Sequence, residues 1–473
     1  MIRHTFRHMV QVLGALVAGL AIILSLFAWR LSSGPISLGF LSPTFESILS
    51  ANQQDVKIRL QDTILTWAGW DRTLDIRILN VRALSADETI LTTIPELSLS
   101  LSARAMLRGL IAPKRIELFH PKIKLLRKAD GQIQIGFGES KAPESDVLLQ
   151  VIISAMLKTS DPGDRLSYLD QVSVFDADLT LVDETLGLAW HAPASQLSLV
   201  QSRNGLEAEA IFGLDIGRQR AEFIILGRYQ PSQRRLDVGI RFSKVVPAFF
   251  AHLEKKLAPL EAFKVPLKGT IDIGMPVDGV IDRISFDVSS EPGTIVLPAP
   301  VKQNLKLQKL TMSGVYNGIS HDVTLRQFAV DLGSNGAVIL PAPGNHIMPL
   351  RHIRARGLLK LDSKRLAVDD LKMDFHGPTA SIKGTVDGFG GPMAVDVKSV
   401  VNNVPIDELR RYWPRAWGTA PYDWATEHLS DGVISEMTVD ALLRVTGQER
   451  FDVERLKGTM ALRGVTVDYL PPM

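Results

Sequence analysis

LDIRILNVRAL, residues 74–84, decides the fold class. Leu74, Ile76 and Ile78 fall on one parity, Asp75 and Arg77 on the other. Successive side chains of an extended chain point to opposite faces, so the stretch predicts a strand with one apolar and one polar face. The alternation continues on both sides of it. In VKIRLQDTILTW (56–67), Val56, Ile58 and Leu60 oppose Lys57, Arg59 and Gln61, and LSLSLS (97–102) has strict period two. IELFHPKIKLLRK (116–128) and GQIQIGFG (131–138) extend the series. Further on, Phe175, Ala177, Leu179 and Leu181 share one parity against Asp176, Asp178 and Thr180. Alternating runs then fill most of 196–242, 267–340, 354–399 and 432–469.

A few stretches break this rhythm. SARAMLRG (102–109) reads as a short helix closed by Gly109. Ser145 is a good N-cap for a helix over 146–158 that is apolar nearly all round. PAFFAHLEKKLAPL (247–260) places Phe249, Phe250, Leu253 and Leu257 at helical spacing, with Pro266 beyond as a stop. A third helical region covers 405–413 and 422–429. Lys-Gly-Thr recurs at 268–270, 383–385 and 457–459, each time beside an alternating strand, as a degenerate repeat.

At ~11 residues per strand and turn, on the order of 30 strands fit the chain. An open twisted sheet rarely exceeds ~10 strands without curling. The strands must therefore close, split into sandwiches, or coil into an elongated groove with one apolar wall. Periodicity leaves groove and sandwich both open.

The start has a different pattern. VQVLGALVAGLAIILSLFAW (10–29) carries no charge. At ~1.5 Å per residue it reaches ~30 Å, a bilayer's hydrocarbon thickness. Val10, Leu13, Leu16, Leu20, Ile23 and Leu26 would face lipid, and Trp29 would sit at the interface. Arg3 and Arg7 precede it with no acid between, so residues 1–9 are expected to stay cytoplasmic while everything after Arg30 is exported. The run exceeds a signal-peptide core, and no small-x-small cleavage site follows Trp29.

Composition excludes several chemistries. The chain has no cysteine, so disulfides, thiolate catalysis and Cys-ligated metals are out. With 53 basic against 51 acidic residues and no basic stripe interleaved with aromatics, nucleic acid is not an expected partner. Asp176-x-Asp178 puts two carboxylates on one strand face, which more often is a solvated face than a metal site. The histidines are scattered without HExxH or HxH spacing. No Gly-x-Ser-x-Gly elbow occurs, so no enzyme activity and no cofactor is expected. Arg351, Arg354, Arg356 and Lys360 form a basic run. It reads first as solvated surface, with a lipid headgroup or partner contact as the sharper alternative. Tyr412, Trp413, Trp417, Tyr422 and Trp424 are the densest aromatic cluster, a packing plug or a gate.

Three stretches resemble the AsmA-like superfamily, specifically the long YhdP-type proteins of Gram-negative bacteria. One is WAGWDRTLDIRILNVRAL (67–84) with IPELSLSLSARAMLRGLIAPKRIELFHPKIKLLRKADGQIQIGFG (94–138). Another is VPAFFAHLEKKLAPLEAFKVPLKGTIDI (246–273). The most specific is LRRYWPRAWGTAPYDWATEHLSDGVISEMTVDALLRV (409–445), followed by LKGTMALRGVTVDYLPPM (456–473). Members of that family continue with further strands beyond the last motif, so the chain resembles an N-terminal portion. The resemblance implies a single-pass inner-membrane protein with its bulk in the periplasm. It also implies a curled antiparallel β-groove that carries phospholipid acyl chains toward the outer membrane, with outer-membrane or periplasmic proteins as further partners. A membrane-anchored scaffold for outer-membrane protein assembly is the alternative. The expected division is 1–9 tail, 10–29 span, 30–138 groove start, 139–265 helix plus strands, 266–403 groove, and 404–473 helical connector with strands. Phe175, Leu179 and Leu181 are the expected groove-lining residues.

Overall fold

A computed structural model describes scattered positions before residue 36. From there to 468 it describes all but short stretches, the longest being 47–55, 67–74, 138–155 and 158–164. The described residues form 30 strands and a few short helices. The chain is thus mainly β, built on a large curled antiparallel sheet. It divides into two compact units, Met1–Leu214 and Asp215–Met473.

The first unit carries β1 (Ile36–Ser37), β2 (Val56–Arg59), β3 (Asp62–Thr66), β4 (Asp75–Ser85), β5 (Ile90–Leu101), β6 (Pro113–Phe119), β7 (Lys122–Arg127), β8 (Ile133–Phe137), β9 (Gln171–Asp183), β10 (Leu188–Ser202) and β11 (Gly205–Ile216). β2 and β3 lie end to end along β4, and β4, β5 and β6 pair antiparallel. β6 and β7 are one strand broken at His120-Pro121, where His120 takes φ 54°. Both pair parallel with β9, the exception to the antiparallel order the pattern led us to expect. A parallel neighbour needs a long crossover, and the chain between β8 and β9 supplies one. Ile76, Ile78, Leu97 and Leu99 are buried in one core cluster of this unit. Ile123, Ala177, Leu179 and Ala192 form another.

The second unit continues with β12 (Gln219–Gln230), β13 (Arg235–Val245), β14 (Phe263–Lys264), β15 (Leu267–Pro276), β16 (Arg283–Ser290), β17 (Gly293–Val296), β18 (Asn304–Leu307), β19 (Lys309–Asn317), β20 (Asp322–Asp331), β21 (Ala337–Leu340), β22 (His346–Pro349), β23 (His352–Lys360), β24 (Arg365–Asp374), β25 (Thr379–Asp387), β26 (Met393–Pro405), β27 (Leu429–Ser430), β28 (Val433–Val445), β29 (Phe451–Arg463) and β30 (Thr466–Val467). Twelve of them form an antiparallel meander in the order β12–β13–β15–β16–β19–β20–β23–β24–β25–β26–β28–β29. The chain leaves the meander for small sheets, β14–β17–β18 and β21–β22. These bury Val265, Ile295, Leu305 and Leu307 against Leu310 and Val330 at one end of the strands.

The helices are shorter than their sequence patterns suggested. Ala103–Met106 is helical, with the Ser102 hydroxyl accepting from the Ala105 amide and Gly109 at φ 75° beyond it. The expected 247–260 helix is two 3₁₀ segments, Pro247–Phe250 and Lys255–Ala262, the second with Pro259 inside it. Proline lacks the N–H that an α-helix interior needs, so apolar spacing there did not produce a long helix. Ile406–Glu408 is 3₁₀, Leu409–Tyr412 is α, and Thr419–His428 is a ten-residue α-helix. Of the expected 146–158 helix, only Met156 and Leu157 are described, both helical.

At the N-terminus the described positions Gly14, Ala18, Gly19, Ile22, Ser25, Leu26, Trp29 and Arg30 are helical. Leu26 and Trp29 are 57% and 70% exposed. Val10, Leu13, Leu16, Leu20 and Ile23 lie outside the described residues. Among the described residues no helix is long and apolar enough to cross a membrane.

Candidate functional site: an apolar sheet face

Strand register in the second unit stacks apolar side chains into rows. One row runs, strand by strand, through Ile225, Ile240, Ile271, Phe286, Gly314, Leu325, Gly357, Val368, Gly384, Val397, Ala441 and Leu456. Every position is apolar or glycine. The adjacent row, from Val238 through Ile284, Leu359 and Val395 to Leu443 and Val453, is likewise apolar, the phenol of Tyr316 being its one polar group. A third row passes Phe242, Val288, Phe328 and Ile382 and admits one hydroxyl, Ser399. At ~4.8 Å per strand, twelve strands give an apolar strip about 50 Å long.

The opposite face is mixed and carries the charges: one row holds Asp272, Ser285, Thr324, Asp396 and Arg455 between Leu226, Val315, Leu358 and Leu442. Asp322 sits across from Lys360, and Lys360 across from Arg365. Arg365 Nε lies 3.4 Å from Asp387, and Arg455 bridges Asp396 and Asp440 at 2.9 Å each. Asymmetry of this kind normally means that the apolar face is covered. Here the side chains of the first two rows from Ile225 to Val397 are only half-buried wherever they are larger than glycine. At the β29 end Leu456 and Val453 are 66% and 51% exposed. A sheet sandwiched under a second layer would bury the apolar side chains of its central strands. The strip is thus partly exposed along its length and buried most where the small sheets pack.

Glycine shapes the strip. A Cβ on Gly357 would lie 2.3 Å from the Ala367 carbonyl oxygen, and one on Gly384 2.2 Å from that of Asp396. Neighbouring strands approach there more closely than any side chain allows, as at bends of a curled sheet. At Gly314 the Phe286 ring fills the place a side chain would take.

The expected groove residues lie in the first unit, on β9, and the structure divides them. Leu179 is 3% exposed, within the cluster that Leu181 packs against. Phe175 is not with them. Asp176 adopts φ 52°, the register to β10 shifts around it, and Val174 instead joins that cluster. Phe175 stacks on Phe119, ring centroids 5.3 Å apart. The two carboxylates separate as well: Asp176 lies 3.9 Å from His120 Nε2, while Asp178 is 2.6 Å from His191 Nε2. Among the described residues no group of acids and histidines is placed to hold a metal ion.

Of the aromatic cluster, Trp413 and Tyr422 meet edge to face at 5.9 Å, and Tyr412 and Trp413 pack on the buried Val404–Ile434 cluster. Burial pushes the Tyr412 hydroxyl's pKa up, helped by the Glu408 carboxylate. These residues serve as packing. Trp417 lies outside the described residues. Arg354, Arg356 and Lys360 share the polar face of β23, facing away from the strip. Sequence reasoning missed the strip residues of the second unit by number. Their alternation marks the strands, but only the register shows that the rows join. Neither a family model nor a curated protein matches the chain.

Proposed function

We propose that the protein is a carrier for phospholipid acyl chains, anchored in a bacterial inner membrane by residues 10–29 with its bulk in the periplasm, as in the AsmA-like proteins it resembles. The observation that supports this reading is the half-exposed apolar strip, unbroken across twelve strands. Its area exceeds the few hundred Å2 of apolar patch that a soluble monomer leaves in water, so something apolar should occupy it. An acyl chain laid along it gains ~0.8 kcal/mol for each CH2 buried. Because the central row is uniformly apolar, that gain varies little from strand to strand, and a chain can slide without a deep trap. Headgroups would remain in water at the rim.

Photo-crosslinking residues introduced into the full-length protein in cells test this. At Leu325 and Leu359, on the strip, ultraviolet light should yield adducts whose mass is that of a phospholipid. At Thr324 and Lys383, on the polar face, it should not. Equal labelling of both faces, or none, would overturn the carrier reading and favour a membrane-anchored scaffold for outer-membrane protein assembly.

A further inference from the structure

On the polar face, over β19, β20, β23 and β24, lies an open depression of about 600 Å3. Its origin is local. Ala329 stands between Thr311 of β19 and Arg354 of β23 in one cross-strand row, and Arg354 is itself opposite Lys372 of β24. Among these longer neighbours, Ala329 leaves a hollow one side chain deep. Beside it the β20 register slips: Gly314 pairs with Leu325 but Ser313 with Gln327, leaving Arg326 as the inserted residue. Bulges of this type re-aim a side chain.

Five cations border the depression, Lys309, Arg326, Arg354, Arg356 and Lys372, against two carboxylates, Asp331 and Asp370. Both carboxylates are engaged. Asp370 lies 3.8 Å from Arg356 and 3.4 Å from Lys372, and Asp331 lies 3.3 Å from His352 Nδ1. No carboxylate among the described residues is within ion-pair distance of Lys309, Arg326 or Arg354. Three cations without an ion pair thus border one small hollow, Lys309 standing opposite Asp331 across the strand pair. β19 and β23 flank β20 at ~4.8 Å each, and Lys309 sits one row on from the Thr311–Ala329–Arg354 row, so Lys309 and Arg354 rise ~12 Å apart, diagonally across β20. That gap suits a tetrahedral oxyanion reached by long side chains from both sides. Elsewhere on this face some charges do pair, as Arg365–Asp387 and Arg455–Asp396 do.

We infer that this depression binds a phosphate group, with Arg354 and Lys309 as its principal donors and Arg326 closing the bulged side. Guanidinium and ammonium groups converging on a phosphate form charge-assisted hydrogen bonds, and a concave site strengthens the field that draws the anion in. The site faces away from the apolar strip and does not rest on the carrier reading. Two sources share the chemistry, a free phosphate and the phosphodiester of a lipid headgroup.

Phosphorus-31 line broadening on the full-length protein in a non-ionic detergent tests the site. One arm titrates inorganic phosphate, the other glycerophosphoglycerol, a headgroup without acyl chains. Lys309→Gln/Arg354→Gln should weaken binding by at least about tenfold, since it removes two charge-assisted donors from exposed positions that do not hold the fold. Lys383→Gln, an exposed cation on the same face outside the hollow, should leave it unchanged. Broadening of the diester that the double variant abolishes assigns the site to headgroups. Broadening of inorganic phosphate alone, abolished the same way, assigns it to free phosphate. No broadening in either arm, or an equal loss with Lys383→Gln, overturns the inference.

Discussion

At Gly384 the chain has no room for a side chain. The Asp396 carbonyl oxygen would lie 2.2 Å from its Cβ, and the same holds at Gly269 against the Asp287 carbonyl. Both are the middle residue of a Lys-Gly-Thr triplet. The triplet recurs because the lysine falls on the charged face, where Lys268, Lys383 and Lys457 are all exposed, and the glycine falls on the strip at a close approach. Gly384→Val is therefore expected to destabilise the fold by about 2 kcal/mol or more, read as a lower denaturant midpoint. Gly458→Ala, whose Cβ would sit 3.3 Å from the Thr438 carbonyl, should cost clearly less. The recurrence was legible in the sequence, but the contact that requires it was not, because it depends on a strand more than ten residues away. Asp176 illustrates the opposite case. A left-handed residue there shifts the parity of β9 and takes Phe175 out of the face its spacing assigned. No glycine or proline marks the spot, and Asp tolerates that conformation well enough to leave no signal. Leu179, by contrast, is so well buried that Leu179→Ala should cost about 2–4 kcal/mol in the same measurement. A charge there would unfold the first unit and say nothing about transport.

The Thr419–His428 helix shows how a short element is held. Its N-cap, Gly418, offers no side-chain hydrogen bond, and its first turn carries no acid. The fixing contact is a two-pronged ion pair: Arg415 Nε donates to Asp423 Oδ1 at 2.8 Å, and Nη2 to Oδ2 at 2.6 Å. The Arg415 hydrogen bond holds the Asp423 carboxyl below the usual carboxylate range, opposed in part by burial. A depressed folded-state pKa adds stability above the unfolded-state value, and that stability is lost as pH falls through the folded one. Arg415 stays charged throughout. Amide exchange in this helix should therefore be insensitive to the pair's ionisation at neutral pH and gain an acid-induced opening only below about pH 4. Asp423→Asn should abolish that acid dependence. Exchange that accelerates between pH 5 and 7 would assign the control to another group. The sequence places a helix over 422–429, and the structure begins it three residues earlier, at Thr419, and ends it at His428. The same reasoning overestimated 247–260, where Pro259 and the short run between strands favour 3₁₀ turns over an α-helix.

In the second unit, partly buried apolar rows back onto a polar, partly paired outer face, and period-two alternation alone leaves open whether such a sheet forms a groove or a sandwich. Alternation is identical in a groove and in a sandwich, since both need one apolar face per strand, and only the degree of burial after folding distinguishes them. A carrier makes a further demand that a scaffold does not: the strip must be continuous. Val397 lies on it between Leu325 and Leu456 and is half-buried, so Val397→Asp should fold. An ionised carboxylate in the path denies the sliding chain its apolar contact at that strand. An acyl chain crossing it would leave the carboxylate partly desolvated, at a cost of several kcal/mol. Photo-crosslinkers at Leu325 and Leu456 report on the two sides of the block. With lipid entering from one end, adducts on that side should persist while those on the far side fall at least about tenfold, and the side that falls identifies the exit. Lys398→Asp, one residue along and on the charged face, should change neither. If Val397→Asp leaves both adducts at their original yield while the protein accumulates normally, lipid does not travel along the strip. The apolar rows would then serve to dock another protein surface.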